Sequence, residues 1–187
     1  MGIAFLTTFG GIFATLPAQA QTPVSEYQVK AAYLFNFVKY VTWPEERFAT
    51  TNAPIVIGIL GDDPFGPPLD EMLANKAISG RKLEVQRATS TEKLKNAHII
   101  FISRSEEKRL EKNLEKLKKI SVLTVSDIDH FSRRGGMIGF VLVSQSVRFE
   151  IDLAAAEEAS LKVSGRLLSA ATMVHPERTQ LEKTSSK

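Results

Sequence analysis

Short apolar runs, each followed by a turn, are the feature that most constrains the fold of this chain. The clearest are Ile55–Leu60, His98–Ile102 and Val122–Val125. Runs of this length without polar alternation are typical of strands that are covered on both faces, as in a parallel sheet. A leucine repeat at helical spacing, residues 110–117, lies between the second and third runs. This alternation of strands and helices predicts an α/β fold.

The N-terminal part predicts a buried helix. Ser25 and Gln28 have the spacing of a capping box, and the helix should run from there to about Val41. Trp43-Pro44 should end it, because proline disfavours helical backbone in the residue before it.

The C-terminal part predicts a β-hairpin followed by a helix. The strands are residues 137–143 and 147–151, joined by the short loop 144–146, and the helix should cover about 153–174. The whole pattern predicts a three-layer α/β sandwich, with a central, mostly parallel sheet, a C-terminal antiparallel hairpin and helices on both faces. Residues 21–174 should form this single domain, and 175–187 a disordered tail.

Residues 1–20 have the pattern of an export signal. They carry no charge, they are mostly apolar from Ile3 to Leu16, and they end in Ala18-Gln19-Ala20. We expect cleavage after Ala20. A short uncleaved anchor is the alternative, although a spanning helix needs about 20 predominantly apolar residues. No later segment is apolar and long enough to span a membrane, so the mature protein is expected not to do so.

Composition excludes several kinds of site. The formal charge of +3 is spread along the chain, which argues against nucleic-acid binding. The absence of cysteine excludes disulfides, thiol nucleophiles and Cys-ligated zinc. The three histidines are far apart, so neither a metal site nor a cofactor is expected. No nucleophile–base pair is recognisable, and the chain is not expected to be an enzyme.

The loop after the first buried strand is the candidate ligand site. Ligands of open α/β sheets collect at the carboxyl ends of strands, and the loop offers Gly61, Asp62, Asp63 and Phe65. The alternative is a tight turn, since Asp, Gly and Pro are the residues that turns require. We favour the turn.

Two further groups of side chains invite a functional interpretation. Among the aromatic residues of the first helix and its end, Phe35 and Trp43 are the candidates for exposed, partner-binding positions. Asp127, near Asp129 and His130, is interpreted as a helix cap followed by solvated residues. Arg148 is expected to neutralise the acidic residues beside it on the second hairpin strand.

The order of several motifs resembles one known family. They are KAAYLFNF at 30–37, WP at 43–44, GDDPFG at 61–66, VLTVSD at 122–127, GGMI at 135–138, VRFEIDL at 147–153 and SGRLL at 164–168. The chain resembles the YfiR-like family of periplasmic proteins from about Tyr27 to Met173.

The resemblance implies a periplasmic repressor. Such a protein binds the periplasmic sensor region of an inner-membrane diguanylate cyclase and forms dimers. It represses cyclic di-GMP synthesis and, with it, biofilm formation. Many members carry cysteine pairs that respond to redox state, and this chain has none. The alternative left open is a periplasmic protein that binds a small ligand and docks on another membrane receptor.

Overall fold

The computed structural model describes residues 24–118 and 120–175. The predicted leader lies outside these residues, and so does the predicted tail except for His175. The elements are α1 (Glu26–Tyr40), β1 (Val41–Thr42), β2 (Ile55–Leu60), α2 (Pro67–Leu73), β3 (Ala77–Ile78), β4 (Arg81–Ala88), β5 (Ile99–Ile102), α3 (Leu110–Leu117), β6 (Leu123–Ser126), β7 (Ile138–Val143), β8 (Ser146–Asp152), α4 (Leu153–Glu158), β9 (Lys162–Val163), α5 (Gly165–Ala170) and β10 (Met173–His175). Four 3-10 turns, at 45–47, 91–94, 104–109 and 131–134, complete the described part of the chain.

An eight-stranded sheet forms the centre of the domain, in the order β10-β8-β7-β6-β5-β2-β4-β3. The five strands β4, β2, β5, β6 and β7 are parallel to one another. Strand β8 returns antiparallel to β7, and the short β3 is antiparallel to β4. Because the parallel strands point the same way, the loops after β2, β5 and β6 all meet at one edge, which we call the carboxyl edge.

Both faces of the sheet are covered, which is why its central strands are apolar without alternation. On β5, Ile99 and Phe101 pack into the core beneath α1, α2, α4 and α5. Ile100 and Ile102 pack on the other face, where α3 and the 3-10 turns supply the cover. The predicted three-layer α/β sandwich is confirmed.

Helix α1 begins as the sequence predicts. The Ser25 hydroxyl accepts a hydrogen bond from the Gln28 amide at 3.2 Å, and the Gln28 side chain accepts one from the Ser25 amide at 2.8 Å. The helix buries Leu34 and Phe37 completely and ends at Tyr40, one residue before the predicted end.

The hairpin is confirmed, with a turn of two residues, Ser144 and Gln145, both at positive φ. The predicted helix over 153–174 is wrong. Helix α4 ends at Glu158, and the chain turns at Ser160, whose φ is +60°. Val163 then pairs with Val41 in a separate two-stranded sheet, so this part of the chain serves as a strand.

Candidate functional site

A charged cleft of about 400 Å³ opens at the carboxyl edge of the sheet. The loops after β5 and β6 bring Arg104 and Asp127 to it, and the first turns of α1 supply Glu26 and Lys30. Strand β7 extends past the end of β6 and forms an apolar wall of Phe140, Val141 and Leu142. Ligand sites of open α/β sheets lie at this edge, so the cleft is the candidate site.

A buried ion pair forms the floor of the cleft. Lys30 Nζ lies 2.5 Å from Asp127 Oδ2, and each side chain is only 3% exposed. Lys30 also contacts Glu26 Oε1 at 2.5 Å. The Tyr27 hydroxyl donates to the same Asp127 oxygen at 2.9 Å. Burial and this hydrogen bond to a carboxylate raise the pKa of Tyr27 to about 12, so the hydroxyl keeps its proton and acts as a donor at neutral pH.

The second carboxylate oxygen of Asp127 is different. Oδ1 is buried and has no hydrogen-bond partner among the described residues. The Nε of Arg104 lies 3.6 Å from it. The guanidinium instead donates to the main-chain oxygen of Asp127 at 2.6 Å and reaches Asp129 at 3.5 Å. The floor therefore presents one acceptor whose hydrogen-bonding capacity is unused.

The serine hydroxyl next to Asp127 in the chain is already engaged in hydrogen bonds. Ser126, the nearest hydroxyl in the chain before Asp127, donates to the Ile102 carbonyl at 2.6 Å and accepts from the Ile128 amide at 3.0 Å. It therefore stabilises the loop and is not activated as a nucleophile. Within residues 24–118 and 120–175, no group of three or more His, Asp or Glu side chains is arranged to hold a metal ion.

The Gly61–Gly66 loop shows the contacts of a tight turn. Gly61 has a φ of +90°. Asp63 accepts from the amides of Phe65 at 2.8 Å and Gly66 at 3.2 Å, and it pairs with Arg87 at 2.6 Å. Phe65 is 6% exposed and packs in the core, and a ligand contact by it stays a prediction. Asp62 remains exposed, and a ligand role at Gly61 and Asp62 stays a prediction.

The two candidate partner-binding aromatic residues, Trp43 and Phe35, differ in their exposure to solvent. Trp43 is 6% exposed, and its Nε1 donates to the main-chain oxygen of His98 at 2.9 Å, so its expected exposure is wrong. The indole is large and its N–H needs a partner when buried, which the His98 carbonyl provides. Phe35 is partly exposed, with the ammonium groups of Lys39 and Lys76 within 4.2 and 4.9 Å of its ring centre.

The interpretation of Asp127 as a helix cap is wrong. Its side chain crosses to α1, and only Asp129 and His130 of that group are exposed. The signal in the sequence was Lys30, which directly precedes the nearly all-apolar stretch 31–38, because a lysine buried with that stretch needs a counter-ion.

The acidic residues of β8 accept hydrogen bonds from nearby groups. Asp152 accepts from the Ala155 amide at 2.9 Å and caps α4. Glu150 accepts from the Ser132 hydroxyl at 2.9 Å. Arg148 is exposed on the same strand, and its expected neutralisation of these two carboxylates stays a prediction.

A second cleft, of about 230 Å³, lies between α3, α4 and the turn at 131–134. Its arginine, Arg134, is already paired with Glu107 at 3.5 Å and Glu111 at 3.3 Å. Those carboxylates are exposed, so the pairs are typical of a solvated surface. This cleft lacks the buried, unsatisfied acceptor of the first.

A covered, mostly parallel sheet with a charged cleft at its carboxyl edge defines a small α/β domain. The sequence matches the YfiR/HmsC-like family over residues 27–172, and the chain belongs to that family. This membership supports a role in periplasmic regulation of diguanylate cyclase signalling. No curated protein matches the sequence.

The fold is also similar to a solved structure, a conserved domain protein from Vibrio cholerae, with a TM-score of 0.53 and 12% identity. The match covers 81% of this chain and 60% of that one, and at this identity it supports the fold alone. In the described part of the chain, no helix is long and apolar enough to span a membrane.

Proposed function

We propose that this protein is a periplasmic, non-enzymatic repressor that binds the periplasmic sensor region of an inner-membrane diguanylate cyclase. Bound, it lowers cyclic di-GMP synthesis and biofilm formation. The observation that carries the proposal is the family match, which extends over nearly all of the described domain. The apolar leader with its Ala18-Gln19-Ala20 end supports export and cleavage after Ala20.

The tip of the β7–β8 hairpin is the surface we propose for the cyclase. Leu142 is 60% exposed and Val143 44% exposed, although large apolar side chains are normally covered. Val24, 71% exposed, lies beside Leu142 along a groove of about 560 Å³. The hairpin projects past the carboxyl edge, so a partner can reach its tip without disturbing the sheet.

Cellular and binding measurements test the proposal together. Deleting the gene should raise cyclic di-GMP, and the purified protein should bind the purified periplasmic segment of the cyclase. Leu142→Asp should weaken that binding at least tenfold, because a charge would enter an apolar contact. Met173→Asp is the matched control, since Met173 is also exposed, at 43%, but lies on the β10 edge. Unchanged cyclic di-GMP together with no binding would refute the function.

Phe35 gives a second, separate test of the partner surface. Phe35→Ala should weaken binding of the cyclase segment if this face of the helix contributes to the contact. If only Leu142→Asp weakens binding, the contact is assigned to the hairpin.

We also propose that the protein is a homodimer, as the family resemblance implies. Light scattering after size exclusion should then give twice the monomer mass.

The alternative function is a periplasmic protein that binds a small ligand and docks on another receptor. The cleft at Asp127 is the observation that favours it. In a strain without the cyclase, receptor signalling should be retained, and it should be lost when this gene is deleted as well. That result would favour this alternative over repression of the cyclase.

A further inference from the structure

The Asp127 cleft has the features of a site for an organic cation. Asp127 is 3% exposed and its Oδ1 has no hydrogen-bond partner among the described residues, although the atom belongs to a side chain that lines the cleft. A buried carboxylate oxygen left in this state favours any donor that can reach it. The inference does not rest on the proposed repression of a cyclase, although Leu142 lines this cleft as well as the groove at the hairpin tip.

The sign of the charge around the cleft favours a cationic ligand. Three carboxylates line it, those of Glu26, Asp127 and Asp129, against the two cations Lys30 and Arg104. Lys30 is already held between Glu26 and Asp127, each at 2.5 Å. Asp129 is 78% exposed on the rim and keeps unused acceptor capacity.

Arg104 occupies the entrance without filling the site. Its side chain is 56% exposed, and its Nε stays 3.6 Å from Oδ1, beyond hydrogen-bonding distance. Moving Arg104 away breaks its 2.6 Å hydrogen bond to the Asp127 main-chain oxygen as well as its long contact with Oδ1, so the incoming cation has to replace both. This exchange does not involve the buried pair of Asp127 with Lys30.

We propose that the cleft binds a primary ammonium or guanidinium group carried on a short alkyl chain. The cationic head donates to Asp127 Oδ1 and to Asp129, while the alkyl chain lies along the apolar wall at Leu142. As the ligand enters, Arg104 turns outward and gives up its hydrogen bond to the Asp127 main-chain oxygen. The group belongs either to a free alkylamine or to a lysine or arginine side chain of a partner protein, and both have the same chemistry at the site.

A titration followed by amide NMR spectra of the mature protein tests this. Cadaverine should shift the amides of Asp127, Asp129 and Leu142 saturably, and 1-pentanol, which has a similar chain but no charge, should not. Nα-acetyl-lysine methylamide distinguishes a free amine from a side chain of a partner protein. If it binds more tightly than cadaverine, the site is assigned to a partner's side chain. If it binds more weakly, the site is assigned to a free amine.

Variants identify the groups. Arg104→Gln should lower the Kd for cadaverine roughly threefold, since it removes a competing cation. Asp129→Asn should raise the Kd by a similar factor. Arg133→Gln, the control, removes an exposed positive charge outside the cleft and should leave the Kd unchanged. Asp127→Asn should abolish binding of cadaverine if the variant folds. If it does not fold, the Kd values of Arg104→Gln and Asp129→Asn test the proposal. The proposal is overturned if cadaverine causes no saturable shift in wild type or in Arg104→Gln. It is also overturned if Arg133→Gln binds cadaverine more tightly, as Arg104→Gln is expected to do.

Discussion

His98 should make this protein lose stability in mild acid. The ring is 3% exposed, and Phe48 stacks on it with the ring centres 4.6 Å apart. Its Nδ1 accepts the Val56 amide hydrogen at 3.1 Å, which assigns the proton of the neutral ring to Nε2. A second proton on Nδ1 would face that amide and break the hydrogen bond.

The surroundings of His98 oppose a positive charge. Burial, then the nearby Arg47 and Arg81, lower the pKa of His98 from 6.5 to about 4. Arg47 is anchored at this place because it donates to the Ala97 carbonyl at 2.7 Å. Arg81 lies over the Phe48 ring, 3.8 Å from its centre. Neither cation is free to leave when the imidazole is protonated.

The sign and the size of the effect follow from linkage. Between pH 6.5 and 4 the unfolded chain binds a proton at His98 that the folded protein does not, so the free energy of unfolding rises with pH. The stabilisation is complete above pH 6.5 and is lost as the pH falls to about 4. At 1.36 kcal/mol per pH unit the loss is about 3 kcal/mol, a large part of a typical stability of 5–15 kcal/mol.

Urea denaturation at pH 7.5, 6, 5 and 4 measures this in wild type and in His98→Gln. The variant should be less stable at pH 7.5, because its packing on Phe48 is poorer, but should lose less on acidification. The difference in unfolding free energy should therefore shrink by about 3 kcal/mol between pH 7.5 and 4. Carboxylates titrate in both proteins and cancel in the difference.

His130→Asn is the control for this prediction. His130 is exposed, and its φ of +58° suits asparagine. This variant should follow the pH dependence of wild type. If His98→Gln keeps the wild-type pH dependence as well, the proposed neutral, buried state of His98 is wrong.

Three further predictions concern stability, and chemical denaturation measures each. Lys30→Met should cost about 3–5 kcal/mol, because it removes the buried cation from the Asp127 carboxylate and leaves only the exposed Arg104 at 3.6 Å, whereas the double variant with Asp127→Leu should recover most of the loss. Replacing Ser144-Gln145 by Asn-Gly should add about 0.5–1 kcal/mol, since both positions have positive φ; no gain would contradict the turn geometry. Gly136→Ala should cost about 1–3 kcal/mol, because a Cβ would overlap the buried Phe131 ring, and a neutral effect would contradict that close packing.

The sheet could be predicted because its strands are apolar on both faces. Ile55–Leu60 is buried along almost its whole length, and the matching run in the sequence leaves few alternatives to a covered, parallel strand. The capping box at Ser25 and the hairpin loop at 144–146 were equally local, since their side chains contact residues within a few positions in the chain.

The segment after β8 could not be predicted by the same reasoning. Its alanines and leucines have helical propensity, and helices α4 and α5 do form. Val163 nevertheless lies in a strand, paired with Val41 directly after α1. The pairing joins residues more than a hundred positions apart, and tertiary contacts of this kind override propensity.

The cleft was missed for a related reason. Lys30 and Asp127 are 97 positions apart, and neither residue type is expected to be buried. The sequence places a candidate ligand site at the same edge of the sheet but after β2, at Gly61, Asp62, Asp63 and Phe65, with a tight turn as the favoured interpretation. The Asp63 side chain is used by Arg87 and by the turn, whereas Asp127 keeps an unused oxygen.

The two proposed surfaces share side chains, and this has a consequence for regulation. Leu142 lines both the Asp127 cleft and the groove beside the hairpin tip, and Glu26 does so too. A cation whose alkyl chain covers Leu142 therefore competes with a partner that buries the same side chain. Linkage requires the effect to be reciprocal: the factor by which the cation weakens the partner equals the factor by which the partner weakens the cation. Titrating cadaverine with and without the cyclase segment measures this factor as a ratio of Kd values. A ratio above one would identify a release mechanism that needs no cysteine. Factors of one would show that the cleft and the hairpin tip act separately.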